Sequence, residues 1–127
     1  MAHITLLGKD FPIEYTISVM EAVQKKFGGT AEASEALTSM DSEDQLHATV
    51  FMLAEMMKGA ERRERVRCSL WGEENKGTPA LDYETLLGIM NPDDLRNMAD
   101  AIFSTINASS KQTMEVAPSK KNNEEVN

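Results

Sequence analysis

Residues Asp41–Arg67, DSEDQLHATVFMLAEMMKGAERRERVR, decide how the rest of the chain is read. The stretch holds no proline, and its single glycine is Gly59, so the sequence predicts a long helix over 43–65. Ser42 and Gln45 stand at capping-box spacing, and Glu43 and Asp44 put negative charge where a helix N-terminus favours it. Arg62, Arg63 and Arg65 suit the opposite end of the dipole. At about 100° per residue, Leu46, Val50, Leu53, Ala54 and Met57 share one stripe, the expected core face. Phe51 sits round one side of it, and Met52 and Met56 project from roughly the opposite side. A helix apolar on more than one face must bury each of them. Met52 and Met56 are therefore covered either by the rest of the domain or another copy, or by a client protein. Methionine serves adaptable binding surfaces and irregular cores alike, and burial is the more ordinary outcome.

The chain has 127 residues, enough for one domain with a core that needs neither disulfide nor metal. Its one cysteine, Cys68, excludes an intramolecular disulfide. No apolar run is long enough to cross a membrane, and MAHITLLGKD lacks the parts of a signal peptide, so the expected location is the cytoplasm. A net charge of −8 argues against general affinity for nucleic acid, which rests on neutralising phosphates. Arg62, Arg63, Arg65 and Arg67 are the local exception. With Glu61 before them and Glu64 among them they read as the solvated end of the helix. The alternative is a small acidic regulator that binds nucleic acid through the Arg62–Arg67 cluster.

Before the central helix, Ile4–Leu7 and Phe11–Thr16 read as strands of a β-hairpin spanning 4–16, with Gly8, Lys9 and Asp10 as turn. Pro12 cannot donate to a ladder and belongs at an edge. The apolar period then lengthens: Ile17, Met20, Val23 and Phe27 predict a helix over 17–27, with Ser18 and Glu21 at capping-box spacing and Gly28-Gly29 as its stop. A short alanine-rich helix is expected over 31–39. After Arg67, CSLWGEENKGT reads as a loop anchored by Leu70 and Trp71 and closed by Pro79. Asp82 caps a helix over 83–89, with Leu81 and Leu86 as hydrophobic staple. Asn91-Pro92-Asp93-Asp94 opens a last helix over 92–107 that turns Leu95, Met98, Ala99, Ile102, Phe103 and Ile106 to the core. Residues 109–127 lose the apolar period and read as a disordered tail. The expected fold is mainly α: one small domain over 1–108, with four to five helices preceded by an N-terminal hairpin.

Motifs for catalysis are lacking. His3 and His47 are the only histidines, Cys68 has no Cys-x-x-Cys companion, and no Gly-x-Ser-x-Gly elbow occurs. Asp93 and Asp94 are accounted for by the helix dipole. The reading is therefore a non-enzymatic protein, with no catalytic, cofactor or metal site assigned.

ITLLGKDFPIEYTISVMEAVQKKFGG, a hairpin about Gly8-Lys9 followed by a helix ending at Phe27-Gly28, resembles the opening of tail assembly chaperones of long-tailed phages and prophages of Gram-positive bacteria. The Tyr83–Asn107 region is similar to their second half, so the resemblance covers residues 3 to 107. It implies a small helical protein of the host cytoplasm that binds the tape measure protein, keeps it soluble and helps recruit tail tube subunits. Phe51, Met52, Met56 and Met57 would then be the partner-binding residues, flexible enough for a client that must later be released. Family members also form homo-oligomers, and often make a longer product by ribosomal frameshifting. Lys120, Lys121, Asn122 and Asn123, all encoded by codons beginning AA, fit an adenine-rich slippery stretch, and the polar tail would suit a linker to such an extension.

Overall fold

A computed structural model describes residues 2–116, apart from the side chains of 42 and 110–116. The chain is mainly helical, as expected: five helices follow an N-terminal antiparallel hairpin. Strands β1 (Ala2–Leu6) and β2 (Lys9–Ile13) pair with Ile4 opposite Phe11, and their inner faces bury Ile4, Leu6, Phe11 and Ile13. The turn is tighter than expected. Leu7 leaves the strand and joins Gly8 in a two-residue turn, both with positive φ (53° and 76°), the conformation that matches the twist of the flanking strands. β2 stops at Ile13 rather than Thr16 because Glu14 leaves the ladder and donates its N–H to the Met56 carbonyl, 3.1 Å away.

Helix α1 (Ile17–Phe27) is capped by Thr16, whose hydroxyl accepts from the Val19 N–H, rather than by the expected Ser18 box. That start turns Val19 and Val23 inward and leaves Ile17 79% exposed, which corrects the expectation that Ile17 faces the core. Gly28 ends the helix in the left-handed region, and α2 (Thr30–Leu37) buries Ala33 and Leu37.

The central helix, α3 (Ser42–Trp71), is longer than expected at both ends. Its cap is Asp41, which accepts from the N–H groups of Glu43 and Asp44, so the Ser42 box is displaced by one residue. At its other end the helix passes the expected stop at 65 and continues to Trp71, where Gly72 closes it in the left-handed conformation. Nothing between Arg65 and Trp71 breaks a helix, and the arginines therefore lie on its shaft rather than in its last turn.

Strand β2 and helices α1, α2, α4 and α5 all pack directly on α3. Of Ala48–Ala60, only Phe51, Glu55 and Lys58 are not buried. Helix α4 (Tyr83–Ile89) is capped by Asp82 through the Thr85 N–H, with Leu86 fully buried. Helix α5 (Pro92–Val116) begins with a reciprocal cap, Asp94 N–H to Asn91 Oδ1 and Asn91 N–H to Asp94 Oδ2, and buries Met98, Ile102 and Ile106. It runs past the expected end at 107 to Val116, consistent with the absence of proline or glycine before Pro118. The expected disordered tail therefore loses 109–116 to this helix, and 117–127 lie outside the described residues.

Candidate functional site

The side chains singled out in the sequence separate into two groups. Met52, Met56 and Met57 are 0%, 0% and 2% exposed and belong to the core, so they offer no surface to a partner. The correction has a simple cause: α3 is covered on several sides, by β2, α1, α2, α4 and α5. Phe51 alone remains partly open.

Phe51 stands in a shallow, largely apolar groove of about 460 Å³ lined with Lys26, His47 and Tyr83. Three elements build it. From the end of α1, Phe27 meets the Phe51 ring edge-on at 5.6 Å, and the Lys26 ammonium lies 5.6 Å from the Phe51 centroid, within cation–π range. One turn before Phe51 on α3, His47 is brought onto the same side by the i, i+4 spacing. From the first turn of α4, Tyr83 stacks on His47 at 6.3 Å between centroids, and its hydroxyl is hydrogen-bonded to His47 Nδ1. Burial, with Glu84 adding to it, pushes the Tyr83 phenol above its ordinary pKa. The groove thus has an aromatic floor, a fixed wall and one cationic rim. It is suited to taking an apolar side chain from a partner, with an acidic neighbour near Lys26.

The arginine cluster is divided by its surroundings. Arg63 pairs with Glu14, and Arg67 is held by Glu64 at 2.8 Å and Glu73 at 3.0 Å. Arg62 and Arg65 remain for contact with any phosphate backbone. Among the described residues no group of three or more His, Cys, Asp or Glu side chains is placed to hold a metal ion, and no helix is long and apolar enough to cross a membrane. A second trough, between Glu21, Lys25, Glu55, Lys58 and Arg62, is lined by opposed charges and offers little apolar surface.

Cys68 is buried beneath the chain that follows α3, 3.8 Å from the Glu74 carbonyl and 3.5 Å from Glu64. Burial pushes its thiol above the ordinary range, and the Glu64 carboxylate acts in the same direction. Iodoacetamide at pH 8 is accordingly expected to alkylate Cys68 at least tenfold more slowly in the folded protein than in denaturant, followed by mass spectrometry. Equal rates would show that this end of α3 is open.

Lys26, His47 and Tyr83 were not singled out in the sequence. The spacing of His47 and Phe51 on one helix was the available signal; Lys26 and Tyr83 come from other elements and carried none. Comparison of the chain with models of protein families, with curated proteins and with solved structures finds no match.

Proposed function

We propose that this chain is a non-enzymatic tail assembly chaperone, which binds the tape measure protein in the bacterial cytoplasm, keeps it soluble and helps recruit tail tube subunits. The observation that carries the reading is the groove at Phe51: an aromatic side chain left partly open on an otherwise buried stretch of helix, walled by Tyr83 and rimmed by Lys26. Such a groove receives the apolar edge of an amphipathic helix. A tape measure chain without its tube exposes such edges along its coiled-coil seams, where they would otherwise self-associate. The partner is the one implied by the resemblance of residues 3 to 107, and the apolar lining of the groove supports the reading.

Co-expression with a tape measure protein encoded beside this gene tests the reading. The expected result is a soluble client that co-purifies, with recovery reduced at least fivefold by Phe51→Ser and measurably by Lys26→Glu. Lys26 is exposed, so its replacement leaves the core intact, and circular dichroism confirms the fold of both variants. A client that stays insoluble beside well-folded wild-type protein would overturn the assignment.

A further inference from the structure

The hairpin has one open edge. Its turn holds two residues, Leu7 and Gly8, so the flanking pair, Leu6 and Lys9, exchanges hydrogen bonds, as do Ile4 with Phe11 and Ala2 with Ile13. The residues between them, His3 and Thr5 on β1 and Asp10 and Pro12 on β2, direct their backbone N–H and C=O groups away from the partner strand. Pro12, which has no N–H, falls where the ladder loses nothing by it. On the β2 side Asp10 alone therefore offers an outward N–H, and the strand ends where Glu14 turns to the Met56 carbonyl. On the β1 side His3 and Thr5 offer two N–H and two C=O groups at alternate positions, and none of the four has a partner among the described residues. Strand edges are ordinarily guarded by charge, proline or a bulge. β2 carries Lys9, Asp10 and Pro12, whereas β1, AHITL in regular register, carries none of these.

The edge chemistry and the layer beneath it identify what fits there. Alternate outward N–H and C=O groups are satisfied by an extended strand and by no other regular element. β2 packs principally on α3 and β1 on α5, while the two helices pack on each other. Packed helices lie about 8–10 Å apart and paired strands about 4.8 Å. The hairpin is therefore narrower than the helix pair it covers, and the lane beside β1 has α5 beneath it. A further strand laid in that lane would place the residue opposite Ile4 on the inner face, toward the helices, and the residues opposite His3 and Thr5 on the outer face, where both of those side chains are exposed. A second copy fits poorly. Pairing β1 with its own counterpart across a two-fold axis would bring two α5 helices into one lane, closer than helices pack.

We propose that the β1 edge takes an extended segment of another protein as a third, antiparallel strand, hydrogen-bonded to His3 and Thr5. The segment alternates apolar residues, turned to α5, with polar residues turned to solvent. The inference stands on the hairpin and is independent of the Phe51 groove, which lies among α1, α3 and α4.

The probe is a capped peptide of about seven residues, alternating threonine and valine with a lysine at each end, the length of an ordinary strand. The lysines suit a protein whose net charge is −8. It is made in two forms of the same composition. One is N-methylated at the valines, whose N–H groups would point away from β1; the other is N-methylated at the threonines, whose N–H groups would point at it. Amide hydrogen exchange on the full chain, followed by NMR, reads the edge residue by residue. The valine-methylated peptide should slow exchange of the His3 and Thr5 amides at least tenfold, and the threonine-methylated one should leave them unchanged. His3→Pro removes an outward N–H at a position equivalent to Pro12, so the ladder survives, and it should weaken binding at least tenfold. Lys26→Glu, in the groove, should leave binding unchanged. Three results would each overturn the proposal: no protection with the valine-methylated peptide, equal protection with both forms, or protection of His3 and Thr5 on concentrating the protein alone, which would assign the edge to a second copy. Should His3→Pro fail to fold, the two peptides still decide the outcome.

Discussion

Met56→Asp is expected to leave the chain unfolded in ordinary buffer. Met56 is fully buried beside Met52 and Leu53, and its backbone carbonyl receives the Glu14 N–H where the hairpin joins α1. The substitution removes a buried apolar side chain, worth about 2–5 kcal/mol when truncated, and adds a carboxylate without a partner at a further cost of several kcal/mol. The sum is comparable with the whole stability of a domain of this size, about 5–15 kcal/mol. Met52→Asp should behave alike. Met56→Leu, which preserves volume and polarity, should lose less than about 1.5 kcal/mol. Far-ultraviolet circular dichroism and thermal melts distinguish these outcomes; a Met56→Asp protein that melts cooperatively near the wild-type temperature would return the methionines to the surface.

The second large effect reverses the usual sign of a glycine replacement. In a helix interior, alanine is normally favoured over glycine by about 1 kcal/mol. At Gly59, an added Cβ would lie 2.7 Å from Val19 Cγ2, 3.1 Å from Thr16 Oγ1 and 3.3 Å from the Glu14 carbonyl oxygen. Val19 is itself buried and cannot swing away, and the carbonyl belongs to the backbone segment that crosses α3. Gly59→Ala should therefore destabilise by about 1–3 kcal/mol, as overpacking does. That corresponds to a fall in melting temperature of roughly 4–15 °C. Gly88→Ala in α4, where nothing lies within 4 Å, is the matched control and should stabilise by up to about 1 kcal/mol. Equal responses at the two glycines would mean that the hairpin exit does not cross α3 at Gly59.

Local chemistry made most of the architecture legible. Caps at Asp82 and Asn91 and the stop at Gly28 each depend on neighbours in sequence, and each is where the sequence puts it. Competition between adjacent candidates was less legible: Asp41 caps in place of Ser42, and Thr16 in place of Ser18, because the choice depends on the direction from which the chain enters the helix. The extent of α3 was missed for another reason. Leu70 and Trp71 read as anchors of a loop because large apolar residues usually seek burial, whereas here they ride an exposed helix end. The groove was half legible. Phe51 could be read as standing off the main stripe, but whether Met52 and Met56 were free depended on α2, α4 and α5 coming to lie round α3, which no local pattern specifies.

The most direct test of the proposed client-binding surface is an NMR map of the labelled protein with and without a soluble tape measure segment. The expected result is that signals of Lys26, His47, Phe51 and Tyr83 shift together on addition of the segment, while the methyl signals of Met52 and Met56 stay where they are. Saturating binding that leaves those four residues unmoved, or that opens the methionine core instead, would contradict the placement of the client in the Phe51 groove.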